Sequence, residues 1–363
     1  MKIGIILHPY GEDSPAGLAR VIFEFIKGML EIDAENEYII FLKNKPKKEP
    51  DLPGKNWRVE SLGGGRFWLE QLRHATQVDV CIFNTPVMPL FYRPKKSIVI
   101  ALDFGYYYLG WKTIRGSLRD LATLLYHIFS LWWADHIVAI SEATKKDTVK
   151  IARVRPEKIT VVHLGYKKIC ATPEIPRALP EKFFLFVGII KERKNVFNIV
   201  RAFNIVQKKH PGYHFAIGGK GTGRYFDDLL AYISREKLSE KIVFLGHLND
   251  GQQSYIYKQA IALVFPTFIE GFGMPVLEAM DCGVPVITSN QSSLAEVAGD
   301  AALLVDPHSP EAIAAAMERL IVEPALRAEL ISRGRKRTAD FSWRLSAQKL
   351  LAVVNRVGNS PAA

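Results

Sequence analysis

Short, nearly uninterrupted apolar runs recur along this chain, each ending in a polar or glycine-bearing turn and most followed by a helical pattern. They fall at residues 3–7, 38–42, 78–83, 98–102, 137–140 and 160–163, and again at 183–188, 214–217, 242–245, 262–265, 285–288 and 302–305. A strand that is apolar on both faces belongs in a sheet covered on both sides, and helical connections between such strands make the sheet parallel. The predicted class is therefore α/β, in two successive halves. Amphipathic helices are predicted over about 18–30, 196–209 and 345–357. Residues 166–180 carry three prolines and no periodicity, so they read as the linker. The division that follows is 1–170, 171–344, and a terminal helix with its tail at 345–363.

Length predicts two or three packed domains. The chain has 363 residues, 48% of them hydrophobic, which suffices for two cores. The most apolar stretch, 121–140, contains His127, Asp135 and His136. It falls short of the about 18 uncharged residues that a membrane span requires. The opening MKIGIILHPY reads as a strand and not as a signal peptide, because its apolar run is too short. Cys81, Cys170 and Cys282 are odd in number and lack metal-ligand spacing, so they are expected to be thiols in a reducing cytoplasm.

The net charge is +11, of which residues through Lys168 carry +7. Such an excess favours anionic partners, nucleotide or anionic lipid. Nucleic acid is not expected, because no aromatic-basic binding motif is present. Tyr106, Tyr107, Tyr108, Trp111, Lys112, Arg115, Arg119, Trp132 and Trp133 form an aromatic and basic stretch. It has the composition of an interfacial anchor on anionic lipid, and equally that of an aromatic core with a basic edge.

The stretch richest in chemistry is EGFGMPVLEAM, from Glu270 to Met280. The apolar run 262–265 before it reads as a strand; Pro275 suits a first helical turn and Gly283 the position past the end. Glu270 then lies on a loop beyond the carboxyl end of a strand, where open α/β sheets bind ligands. Gly271 and Gly273 let backbone approach a ligand, and the helix start favours an anionic group.

Two glutamates with seven residues between them, and glycines after the first, resemble the signature of the family-4 retaining glycosyltransferases. The segments VGIIKERKN, IVFLGHLND, CGVPVITSN and AEVAGDAALLVDP fall in that family's order. The resemblance implies the GT-B fold: two Rossmann-like domains whose parallel sheets face across a cleft, with a last helix returning to the first domain. It implies that Glu270 and the backbone of Gly271, Phe272, Gly273, Met274, Pro275 and Val276 hold the donor sugar, and that Glu278 bonds the nucleotide ribose. Lys194 aligns with the family's diphosphate lysine. A second family cation, five residues earlier, is here Ile189, and the adjacent Arg193 is the candidate substitute. Gly17 and Gly219 are candidate donor contacts on glycine-bearing loops. Leu248 and Asp250 match the segment that holds the nucleobase.

No Asp-x-Asp occurs in the chain, so no metal and no cofactor beyond the nucleotide-sugar co-substrate are expected. The family's acceptor-side His-Asp is here Leu102-Asp103, which leaves Asp103 as the candidate acceptor-side group. His8, after the first strand, is a weaker one. The implied activity is retaining transfer of a hexose from a nucleotide sugar to a saccharide or lipid-linked acceptor. Cell-surface glycan synthesis is the expected setting, in the cytoplasm or at the inner face of the plasma membrane. A nucleotide-sugar-binding homologue without turnover, or an epimerase or phosphorylase on the same fold, are the alternatives. The base and sugar of the donor stay open.

Overall fold

In the computed structural model, residues 1–10, 17–65, 67–109, 114–169 and 179–361 are described, without the side chains of 17–20, 106, 109 and 114–117. The predicted anchor residues Trp111 and Lys112, and Cys170, lie outside them; the side chains of Tyr106 and Arg115 do as well. The chain divides into two compact units, Met1–Gly165 with Phe341–Ala363, and Tyr166–Asp340.

Each unit is built on one parallel sheet. The first has strands β1 (Lys2–Ile6), β2 (Glu37–Leu42), β3 (Trp57–Ser61), β4 (Val80–Phe83), β5 (Ser97–Ala101), β6 (His136–Ala139) and β7 (Ile159–Val161). They lie in the order β3-β2-β1-β4-β5-β6-β7. The second has β8 (Phe183–Val187), β9 (His214–Gly218), β10 (Ile242–Gly246), β11 (Leu263–Phe265), β12 (Val286–Ser289) and β13 (Leu303–Val305), in the order β10-β9-β8-β11-β12-β13. The central strands are buried along nearly their whole length, because helices cover both faces. β3 has no counterpart in the apolar runs of the sequence. Its residues, WRVES, are half-exposed at the sheet edge, where a continuous apolar run is not required.

The last helix, Trp343–Gly358, packs on the Gly17–Ile32 helix of the first unit. The Phe25 and Trp343 rings meet edge-on with centroids 5.6 Å apart, and the Ser346 hydroxyl donates to the His163 carbonyl at 2.7 Å. Cys81 is a buried thiol, whereas Cys282 is disulfide-bonded, so the expectation of three thiols fails at Cys282.

In both sheets the winding reverses beside the first strand, between β1 and β4 and between β8 and β11. At such a reversal the connections leave two adjacent strands in opposite directions and open a crevice at their carboxyl ends. Because all the strands are parallel, the turns after β8, β9, β10 and β11 emerge on one edge of the second sheet. That edge carries Lys194, Gly219, Leu248 and Glu270.

Candidate active site

Lys194 and Glu270 are 76 residues apart in sequence and meet because β8 and β11 are neighbours at the reversal. After β8 the chain makes a 3₁₀ turn over Glu192–Lys194, and Asn195 follows in the left-handed region with φ 60°. The buried Asn195 side chain donates to the carbonyls of Pro266, at 2.9 Å, and Pro307, at 2.6 Å. The Phe268 N–H donates to the Arg193 carbonyl at 3.0 Å. These bonds tie the turn after β8 to the loop after β11, and so hold Lys194 against Glu270.

The Lys194 ammonium donates to both carboxylate oxygens of Glu270, with 2.7 Å to Oε2, and Arg193 lies 3.7 Å from the same oxygen. The Lys194 and Glu270 side chains are only 12% and 11% exposed. An ion pair this far from water is weakly screened, so each charge depends on the other. Arg193 is more open, at 34%. Two cations and one carboxylate thus converge at the strand ends.

A pair of serines sets the backbone of the glycine loop. The Ser292 and Ser293 hydroxyls both donate to the Glu270 carbonyl at 2.7 Å, and Ser293 also reaches the Phe272 carbonyl at 3.1 Å. Ser292 Oγ in addition accepts from the Glu270 N–H at 3.2 Å. In a trans peptide the next N–H points opposite to the carbonyl. Fixing those two carbonyls on the Ser292–Ala298 helix therefore aims the Gly271 and Gly273 amides away from it. Gly273 has φ 104°, and a Cβ there would lie 2.5 Å from Leu294. Phe272 and Val276 are buried in the core; the Val276 N–H closes onto the Gly273 carbonyl at 2.9 Å, and Pro275 has no N–H. Of the six residues Gly271 to Val276, Gly271, Gly273 and Met274 are left as backbone positions toward a ligand.

Glu278, on the Met274–Asp281 helix, is buried and accepts from Gln253 Nε2 at 2.8 Å. Gln253 belongs to the Asp250–Gln259 helix, which Asn249 starts with a reciprocal capping box to Gln252. Burial, and then the nearby Glu278 carboxylate, push the Tyr257 hydroxyl well above its usual pKa, so it stays a neutral donor. Leu248 packs against Gly218, where a Cβ would lie 2.6 Å from its Cδ1. Asp250 pairs with Lys167. Gly219 has its backbone pressed between neighbouring turns, its N–H donating to the Gly246 carbonyl at 2.7 Å.

In the first unit, Asp103 follows β5 and accepts from the Gly105 N–H at 3.0 Å, a local turn bond. The Leu102 carbonyl accepts from the Thr144 hydroxyl at 3.1 Å. Gly17 is the first residue of the Gly17–Ile32 helix. His8 follows β1; its carbonyl accepts from Asn84 Nδ2 at 2.5 Å and its ring lies 5.1 Å from that of Trp68. Gln253, Ser292 and Ser293 carry no sequence signal for this role, since the groups they position lie 21 to 25 residues away, and the carbonyls that Asn195 holds lie 71 and 112 residues away.

The resemblance gives Glu278 the ribose, and Gln253 holds its carboxylate in place. Glu278→Ala is expected to weaken nucleoside diphosphate binding by ~10- to 100-fold, and Gln253→Ala by ~3- to 10-fold, as a lost charged and a lost neutral hydrogen bond do. Calorimetry checks both, and unchanged affinity in Glu278→Ala would refute the ribose role.

Comparison with known proteins bears on the family and the fold. The family described as Glycosyl transferases group 1 matches residues 172–337. The O-antigen chain mannosyltransferase B of Escherichia coli is 31% identical over 290 residues, 74% of each chain. Sucrose-phosphate synthase from Thermosynechococcus elongatus superposes with a TM-score of 0.77 at 18% identity, over 98% of both chains. Anabaena HepE, solved with UDP and glucose, gives 0.76 at 15% identity over 98% of this chain and 99% of its own. The two structures share the GT-B fold with this chain. With a relative of that identity and coverage, and a family match over the unit that holds Lys194 and Glu270, the chain belongs to the glycosyl transferases group 1.

Proposed function

We propose that the chain moves a hexose from a nucleotide sugar to a saccharide or lipid-linked saccharide, with retained anomeric configuration and without a metal ion. The observation that carries this reading is the convergence of Lys194, Arg193 and Glu270 at the ends of β8 and β11. A departing nucleoside diphosphate gathers negative charge in the transition state, and preorganised cations stabilise it there more than in the ground state. Lys194 and Arg193 supply those charges. Glu270, with the Gly271 and Gly273 amides, seats the sugar and offsets positive charge growing at its anomeric carbon. Glu278 takes the ribose. Asp103 is the proposed acceptor-side carboxylate. The name of the Escherichia coli relative makes mannose the first sugar to test, and a cell-surface glycan the first product class. A lipid-linked acceptor would bring the enzyme to the inner face of the membrane.

A second reading, a homologue that binds nucleotide sugar without turnover, is favoured by Leu102 standing where the resembled family has histidine. It predicts nucleotide binding with no transfer to any acceptor.

Calorimetry against GDP, UDP, dTDP and ADP, with and without EDTA, tests the donor reading. One nucleotide is expected to bind, and chelation to change its affinity by less than about tenfold, ~1.4 kcal/mol. A larger loss on chelation contradicts metal independence, and binding of none contradicts the nucleotide site.

A further inference from the structure

The Ile114–Trp133 helix turns an apolar face outward. At 3.6 residues per turn, Leu118, Leu121, Ala122, Leu125, Phe129 and Trp132 fall within about 100° of arc. The opposite side buries Leu124, Ser130 and Leu131. On the outward side Leu118 is 66% exposed, Leu125 58% and Trp132 60%. An amphipathic helix on a globular core normally presents a polar stripe there, and a contiguous apolar one marks a contact surface. The Tyr126 hydroxyl donates to the Met88 carbonyl at 2.6 Å and so fixes beside the helix a loop that carries Phe91, 83% exposed. Trp132 Nε1 donates to the Ala152 carbonyl at 2.5 Å, so the indole's polar atom is satisfied while its ring stays open.

The charges around this face favour one occupant. Exposed Arg119 stands at its start. At its end Arg153 follows Ala152, and Lys158 donates to the Leu131 and Trp132 carbonyls at 3.0 and 2.7 Å. The nearby Asp135 is already answered by Arg93 at 3.1 Å and by the Ser97 hydroxyl at 2.7 Å. Residues 86–168 hold 14 Lys and Arg against 6 Asp and Glu. A protein partner of ordinary composition would satisfy the leucines alone, whereas an anionic lipid surface satisfies leucines, indole and cations together.

We propose that this face is the seat of the protein on an anionic lipid bilayer. The helix lies in the plane of the interface with Leu118, Leu125 and Trp132 at the acyl boundary, and Arg119 and Arg153 against phosphate headgroups. The surface takes Arg119 and Trp132 from the aromatic and basic stretch and adds the exposed leucines of the helix. The proposal deepens the reading of a lipid-linked acceptor, but the contact requires neither donor nor acceptor.

Sedimentation with phosphatidylcholine vesicles, with and without phosphatidylglycerol, tests it on the full chain. The parent is expected to bind only vesicles with phosphatidylglycerol, less tightly as salt rises. Leu118→Gln with Leu125→Gln is expected to weaken binding at least about tenfold, with an unchanged melting temperature because both side chains are exposed. Arg119→Ser with Arg153→Asn should weaken it and flatten the salt dependence. Tryptophan emission should shift to the blue on binding, and Trp132→Phe should remove most of that shift. A parent that fails to sediment at low salt overturns the proposal, as does a double leucine variant that binds like the parent. So does a lipid-free dimer that the leucine variant converts to monomer, which would make the face an interface between copies. Vesicle binding lost in the leucine variant, in a protein that turns over no nucleotide sugar, would leave the seat standing and sink the proposed function.

Discussion

Lys194→Ala is expected to lower kcat by ~10²- to 10³-fold, the range found when a preorganised group that stabilises transition-state charge is removed. The same variant should bind the preferred nucleoside diphosphate within about tenfold of the parent. The asymmetry follows from when the charge is needed. On the proposed reading Arg193 neutralises part of the diphosphate in the ground state, and Lys194, donating to both Glu270 oxygens, meets the charge that the departing group acquires. Removing the lysine leaves Glu270, 11% exposed, with Arg193 as its nearest cation at 3.7 Å, so a modest fall in melting temperature accompanies the kinetic loss. Lys194→Arg restores charge without the compact ammonium and should recover only part of the rate. Steady-state kinetics with a melting curve on each variant decides. Equal kcat in parent and Lys194→Ala would contradict the assignment.

Gly219→Ala is expected to destabilise the second unit by more than about 4 kcal/mol, at the extreme end of single substitutions. Gly219 has φ 139°, and a Cβ there would lie 1.9 Å from the Gly188 carbonyl oxygen, which neither backbone strand can vacate. The Gly188 N–H donates to the Gly218 carbonyl at 2.8 Å and the Gly219 N–H to that of Gly246, so the turns after β8, β9 and β10 are held by main chain at this point. A melting temperature lower by about 8–16 °C, or failure to fold, is the expected reading. Gly223→Ala is the control. Gly223 also has positive φ, but a Cβ there meets nothing within 4 Å, so only backbone strain of ~1–3 kcal/mol is expected. Similar melting temperatures for the two variants would mean that Gly219 is a surface turn, and that the loop is not a rigid wall of the site.

What was legible in the sequence was what depends on local pattern. Near-continuous apolar runs such as FFLFV and YIIFL can sit only in a doubly covered parallel sheet, and most of the strands fall where those runs do. WRVES was not legible because an edge strand buries only part of its surface and loses the pattern. Glu270, Glu278 and Lys194 could be named as candidates because the spacing of glycines, proline and glutamates is itself local. The groups that aim them could not. Ser292 and Ser293 set the Glu270 loop from the start of another helix, and Asn195 spans from β8 to the segments after β11 and β13. The position of Ser292 at φ 57° leaves no trace in residue type, since serine is common in any turn. Gln253 sits in an ordinary polar helix, and only folding brings it to Glu278.

The most direct measurement is release of nucleoside diphosphate from the bound nucleotide sugar in EDTA, with and without a lipid-linked saccharide acceptor, followed by assignment of the product's anomeric configuration by NMR. The account predicts release that depends on acceptor, persists under chelation, and yields a product with the donor's configuration. Inverted product, or a bound donor that no acceptor consumes, would contradict it.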